Sequence, residues 1–91
     1  MMEKGIITVV GKDQVGIIAN VCTFLAENQV NILDISQTII EGYFNMMMIV
    51  DITKITNDLG TVCKNIENMG DKIGVSIKLQ HENIFNKMHR I

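Results

Sequence analysis

The 91-residue sequence predicts an α+β fold of the ferredoxin-like type, a four-stranded antiparallel sheet with two helices on one face and a short C-terminal helix. Two observations predict it. Apolar residues recur with the period of a strand in four segments and with the period of a helix in two, in the order βαββαβ. Right-handed crossovers in that order place both helices on the same face of the sheet. We expect a single domain over residues 1–91, because no linker or low-complexity stretch divides the chain.

The first half of the chain predicts a central strand, a helix and an edge strand. Residues 4–10 are apolar, rich in β-branched side chains and followed by glycine, which is typical of a buried strand. The apolar spacing of residues 15–27 predicts a helix that begins near Gln14 and ends at a left-handed Asn28. Val30 to Glu41 alternates apolar with polar residues, which favours a sheet edge, and Ile32 breaks the alternation, which indicates a bulge.

The second half predicts a hairpin, a second helix and a last strand. Gly42 supplies the tight turn into a strand over 43–52, which carries one wholly apolar face. The next helix is expected to start at a Thr56 cap and to end at Gly70. Residues 72–80 alternate cleanly as a half-buried strand. Residues 82–91 are too few for an isolated helix, so we expect them to dock on the uncovered sheet face.

Composition excludes several classes of function. A net charge of −2 offers no basic patch for nucleic acid or for a membrane surface. The first strand has no aromatic residue for stacking RNA bases, and the loop after it has neither a Cys-x-x-Cys pair nor an arginine for phosphate. Neither a paired nucleophile and base nor a metal-ligand spacing occurs. We therefore expect no enzyme activity, metal or cofactor, and a cytoplasmic location without a leader or membrane span.

The loop Gly11-Lys12-Asp13-Gln14-Val15-Gly16 is the candidate binding site. Glycine has no Cβ, so Gly11 would let the chain turn out of the strand and Gly16 would admit a ligand close to the first helical turn. The free N–H groups of that turn suit a carboxylate. Asp13 either caps these groups or receives a ligand ammonium, and one oxygen can serve each task.

The same loop together with Val30-Asn31-Ile32 resembles the signature of ACT domains, which are amino-acid-sensing modules of metabolic enzymes and regulators. The resemblance covers a core of residues 4–80, outside a C-terminal extension at 82–91. The stretch from Asn31 to Thr38 is most similar to the small stand-alone members and to the domains of the glycine cleavage repressor and formyltetrahydrofolate deformylase. Val15 stands where the family often has proline.

The resemblance implies a homodimer. ACT domains commonly pair through the strand that here runs from Val30 to Glu41, which joins two sheets into one of eight strands. The ligand then lies between the first loop of one copy and the start of that strand in the other. The positions that this implies for the site are Gly11, Lys12, Asp13, Gly16, Ile17, Asn31 and Ile32.

We therefore expect a regulatory or sensing module that binds a small molecule, with an amino acid as the first candidate. The side-chain amide of Asn31 both donates and accepts, which suits a zwitterion, although Asn serves turns equally well. The alternative is a ligand-free interaction module that docks a partner protein through its open sheet face and its terminal helix.

Overall fold

The computed structural model describes residues 2–12 and 14–88, and it confirms the predicted order of elements. All neighbouring strands are antiparallel, in the sheet order β2-β3-β1-β4. The elements are β1 (Lys4–Lys12), α1 (Ile17–Glu27), β2 (Asn31–Ile40), β3 (Tyr43–Asp51), α2 (Leu59–Ile73), β4 (Val75–His81) and α3 (Glu82–Met88). No helix within the described part of the chain is long and apolar enough to cross a membrane.

The core lies between one face of the sheet and the two longer helices. Alternate residues of β1, β3 and β4 are buried, as in the series Ile7 and Val9 of β1. Val21 of α1 and Ile66 of α2 belong to the same buried cluster, so both helices cover this face. Each fully buried aliphatic side chain contributes about 1.5–3 kcal/mol. We call the opposite side of the sheet the open face.

The hairpin between β2 and β3 forms as predicted. Glu41 and Gly42 have φ values of 53° and 80°, the two left-handed residues that a two-residue type I′ turn requires. The register runs from Ile40 opposite Tyr43 to Asn31 opposite Asp51. It shifts between Ile32 and Asp34, which confirms the predicted bulge.

The boundaries of α2 differ from the prediction at both ends. Asp58, not Thr56, is the N-cap, because its carboxylate accepts from the Thr61 N–H at 3.0 Å and from the Thr61 hydroxyl at 2.7 Å. These hydrogen bonds from Thr61 lower the pKa of Asp58. The helix continues through Gly70 to Ile73 and ends at Gly74, whose φ is 80°. β4 consequently starts at Val75 rather than at Lys72.

α1 ends at Glu27 with Asn28 as its C-cap, as predicted, but the left-handed residue lies one position later. Asn28 has a φ of −101°, and the left-handed residue is Gln29, with a φ of 60°. The Asn28 side chain instead donates to the Phe24 carbonyl at 2.9 Å. Asparagine therefore ends this helix through its amide group rather than through its backbone conformation.

The short helix α3 packs on the sheet, as predicted for residues 82–88, while residues 89–91 of the predicted segment lie outside the described residues. It lies against β1 and β4. Ile6 points to the open face, since it alternates with the core residues Ile7 and Gly5, yet it is only 9% exposed. α3 therefore covers the Ile6 end of β1, whereas no other described helix covers the Val10 end, where Val10 is 50% exposed.

Two glycines of α2 are expected to respond to alanine in opposite ways. A Cβ on Gly70 would lie 2.8 Å from Ile77 Cγ1 and 2.9 Å from the Val75 carbonyl oxygen, so Gly70→Ala forces α2 away from β4. We expect a loss of about 1–3 kcal/mol in the free energy of unfolding, measured by urea denaturation.

Gly60→Ala is the matched control, because its Cβ would meet only Asp58 Oδ2, at 3.2 Å. Alanine is preferred to glycine in a helix by about 0.8–1 kcal/mol, so we expect unchanged or increased stability. Equal effects of the two substitutions would contradict the close packing of Gly70.

Candidate functional site

Gly11 lies inside β1, so the expectation that the chain turns out of the strand there is wrong. β1 continues to Lys12, and Gly11 pairs with Phe44 on one side and with Val75 on the other. A Cβ on Gly11 would lie 2.6 Å from Val75 Cγ1. Gly11 is therefore needed because β4 packs closely against it, and not because of a turn.

Gly16 forms the entry to α1. Its φ is 96°, a left-handed conformation that side chains rarely adopt, and it holds the N-cap position. The helix therefore begins at Ile17, three residues after the predicted start near Gln14. The Gly16 carbonyl accepts from the backbone N–H of Asn20 at 2.9 Å and from its side-chain amide at 2.8 Å. Among the described residues, only this amide would approach a Cβ on Gly16, at 3.5 Å.

The remaining predicted residues of the first loop differ in what they offer a ligand. Asp13, with its two candidate roles, lies outside the described residues. Lys12 is exposed at the end of β1, opposite Tyr43. The side chain of Ile17 is buried in the core, so only its backbone N–H is available to a ligand. The N–H groups of a first helical turn have no acceptor within their own helix.

Gln14 ties this loop to the other half of the molecule, a role that the sequence did not reveal. Its side-chain amide donates to the Ile73 carbonyl at 2.7 Å, which satisfies an otherwise unpaired group at the end of α2. A Cβ on Gly74, the residue that ends α2, would lie 3.8 Å from the same amide nitrogen. The loop is thereby held beside the turn from α2 to β4.

Asn31 and Gly11 lie at opposite ends of the sheet within one chain. Asn31 pairs with Asp51, which pairs with Lys4 at the start of β1. Gly11 is in the row of Phe44 and Ile39, at the other end. Seven residues of β1 separate the two rows, which is about 23 Å at 3.3 Å per residue. One copy therefore does not bring the two parts of the predicted site together.

The edge strand β2 is exposed along nearly its whole length. Of its ten residues only Ile32 is half-buried, where it packs against the core. The exposed large apolar side chains of the strand are Leu33, Ile35, Ile39 and Ile40. Ile35 and Ile39 pair with core residues of β3, so they lie on the helix side of the sheet beyond the cover of the helices.

The titratable groups of residues 2–12 and 14–88 do not form a metal-binding cluster. The described residues contain no group of three His, Cys, Asp or Glu side chains able to hold a metal ion. His81 Nε2 lies 2.7 Å from Glu3 Oε2, while its Nδ1 accepts from the Asn83 N–H at 3.1 Å. The Cys63 thiol donates to the Leu79 carbonyl, and burial, followed by the charge of Glu67, raises its pKa. A thiol of this kind is a poor nucleophile at neutral pH.

Comparison with known sequences identifies a family. A family model described as ACT domain matches residues 4–80. A UPF0237 protein of Bifidobacterium longum is 63% identical over 90 residues, which cover 99% of this chain and 100% of that protein. A UPF0237 protein of Methanococcus maripaludis is 53% identical over the same coverage.

Comparison with solved structures agrees. An ACT domain protein from Streptococcus pneumoniae is 41% identical, with a TM-score of 0.82 over 93% of this chain and 96% of that one. A formyltetrahydrofolate deformylase from Pseudomonas syringae shares the fold over 89% of this chain and 28% of its own, with a TM-score of 0.80 and 20% identity. A structure described as a glycine cleavage system transcriptional repressor does so over 89% and 46%, with a TM-score of 0.72 and 18% identity. Both likenesses expected from the sequence are confirmed at the level of the fold.

Removal of the Gln14 amide should loosen the first loop. We expect Gln14→Ala to lower the free energy of unfolding by about 0.5–1.5 kcal/mol, because the Ile73 carbonyl loses its donor. Amide hydrogen exchange at Gly16 and Gly74 should accelerate. Asn65→Ala, which removes an exposed amide from α2, is the control and should change neither measurement. Unchanged exchange at Gly16 in Gln14→Ala would contradict the tie.

Proposed function

The chain belongs to the ACT domain family, and from this premise we propose that it is a non-enzymatic regulatory module that binds an amino acid between two copies of itself. ACT domains are small-molecule-binding regulatory modules in related proteins. The observation that carries the proposal is the bare apolar edge of β2, combined with the distance between Asn31 and Gly11 along the sheet.

Pairing of two β2 strands accounts for the bare edge. An edge strand presents unpaired backbone N–H and C=O groups, and a second β2 satisfies them while covering Ile35 and Ile39. Natural edges usually carry charges or proline against such pairing, whereas Asp34 is the one charged residue between Asn31 and Ile40. The strand thus has the composition of an interface and not of a protected edge.

The same pairing assembles the site. A two-fold axis perpendicular to the sheet reverses the direction of the second β2, so the partner's Asn31 comes level with Ile39 and Ile40. This is the end at which β1 reaches Gly11 and Lys12. α1 crosses from β1 to β2 over the intervening β3, so its first turn begins on the same side.

The groups that meet there match an amino acid. The N–H groups of Ile17 and its neighbours carry the positive end of the α1 dipole and suit a carboxylate, and Lys12 adds a positive charge. The amide oxygen of the partner's Asn31 is an acceptor for an ammonium group, and the sequence makes Asp13 a second candidate for that role. Among the described residues, only the Asn20 side-chain amide would contact a Cβ on Gly16, so a ligand can approach the backbone there.

The non-enzymatic assignment rests on the chemistry of the described residues. The His81 ring is engaged by Glu3 and Asn83, and the Cys63 thiol is held by Leu79. Among the described residues, no nucleophile hydrogen-bonds to the His81 ring and no base hydrogen-bonds to the Cys63 thiol. We place the protein in the cytoplasm, as its composition suggests.

A ligand-free interaction module is the second candidate. Two features favour it: Gly11 contributes no side chain, and Ile17 and Ile32 pack into or against the core rather than facing the junction. In that case β2 pairing is retained and amino acids do not bind.

Thermal-shift titration with the twenty amino acids separates the two candidates. Sensing predicts a dose-dependent rise in Tm for one or two of them, since a ligand at 100 times its Kd adds about 2.7 kcal/mol of stability. Asn31→Ala should abolish the rise. Asn57→Ala, an exposed asparagine before α2, is the control and should retain it. No shift at millimolar concentrations would favour the ligand-free module.

A charge on the β2 edge should separate the two copies. Ile39 is 54% exposed in one chain, so Ile39→Lys leaves the isolated fold intact but places a cation in the paired seam. Light scattering at tens of micromolar should show a lower mass than for the unaltered protein. Met2→Lys adds the same charge to an exposed residue outside the strands and should not change the mass. A monomeric mass for the unaltered chain would refute the pairing.

A further inference from the structure

Two apolar residues of β1 occupy matching positions on the open face. Ile6 and Val10 each lie two residues from Thr8, in opposite directions along the strand. α3 covers the first, which is 9% exposed, while the second is 50% exposed. Within the described part of the chain, one end of this strand therefore has a helical cover and the other end lacks one.

A shallow depression lies beside the uncovered residue. It has a volume of about 260 Å³ and is formed by two neighbouring strands and the β2 edge. The open-face side chains that line it are Thr8, Val10, Ser36, Thr38, Asn45 and Met47. Small side chains around Val10 and Met47 leave room for an apolar group from outside. An exposed apolar group is available on α3, because Ile84 is 53% exposed.

The strand register shows where a two-fold axis would relate the covered and the uncovered end of β1. Ser36, Met47, Thr8 and Lys78 form one row across all four strands. A two-fold axis that lies parallel to the sheet, above this row, exchanges the position over Ile6 with the position over Val10. The same rotation carries α3 of a second copy onto the bare end of β1.

We propose that two sheets stack with their open faces together, so that α3 of each copy covers Val10 of the other. Ile84 of one copy enters the depression beside Val10 of its partner, and the two α3 helices lie side by side between the sheets. The interface is self-complementary, because each copy presents both the projecting helix and the surface that receives it. Lys78 lies on the edge strand β4, where its ammonium group stays in solvent.

The stacking and the proposed pairing of β2 strands together give a closed assembly. Ser36 lies near the middle of Asn31–Ile40, so the axis proposed for β2 pairing passes close to the same row. Two perpendicular axes that meet at one row generate a closed tetramer of four chains. A two-fold axis along the strands would not bring α3 over the bare end of β1, because it would place α3 over β2. It would also not close the assembly, because repeated contacts would build an open chain. The tetramer rests on the proposed pairing through β2, whereas the stacking itself does not.

Light scattering of the full chain and of charged variants tests the stacking. We expect four times the 10.2 kDa chain mass for the unaltered protein, and half of that for Val10→Lys and for Ile84→Glu. Both positions are exposed in a single chain, so circular dichroism should show an unchanged fold. Asn86→Glu adds the same charge to an exposed residue of the same helix and should remain tetrameric.

The double variant Val10→Lys with Ile84→Glu tests whether Val10 of one copy contacts Ile84 of the other. Opposite charges meet across the stacked faces in this variant, so the tetramer should return at low salt and weaken as salt rises. A tetramer that persists in both single variants, or a double variant that stays at the mass of two chains, would overturn the proposal.

The measured masses distinguish a failure of the stacking proposal from a failure of the β2 pairing proposal. If the unaltered protein has the mass of two chains and Ile84→Glu does not change it, stacking is wrong while β2 pairing stands. If Ile84→Glu converts two chains into one, stacking stands alone and the pairing through β2 is wrong.

Discussion

The structure depends on the limited cover that two helices give to a four-stranded sheet. Right-handed crossovers place α1 and α2 over one face, where the alternating residues of β1, β3 and β4 are buried against them. Along β2 the cover reaches only Ile32, and the later apolar residues on that side, Ile35 and Ile39, stay exposed. Hydrophobic burial is therefore complete in the centre of the sheet and unfinished at one edge.

In the proposed pairing, that unfinished edge would allow a chain with so little reactive chemistry to recognise a ligand. Within one copy, Asn31 and the loop after β1 lie at opposite ends of the sheet. The proposed two-fold axis would bring the two parts together, since reversing β2 would carry its start to the far end of the neighbouring sheet. A site made in this way would couple ligand binding to association of the copies, which is a direct route to regulation.

Two glycines are important to the structure, as the sequence predicts, but for a different reason from the predicted one. Gly11 and Gly70 were expected at a turn and at a helix end, respectively, yet both lie inside regular elements where β4 passes too close for a Cβ. Gly74 and Gly16, by contrast, adopt the left-handed conformation that glycine permits. Whether a glycine serves backbone conformation or close packing depends on a neighbour distant in sequence, which local patterns do not contain.

Local patterns in the sequence were enough to predict four features: the element order, the hairpin turn at Glu41 and Gly42, the bulge near Leu33 and the edge position of β2. They were enough because periodicity and turn chemistry are local properties of the chain. Tertiary structure decided the rest. It ended α2 at Gly74 and tied Gln14 to Ile73. It also buried Ile17 while leaving Val10 half bare. These outcomes depend on which surfaces meet when the elements pack, and residues such as Gln14 and Ile73 are neighbours only in the folded chain.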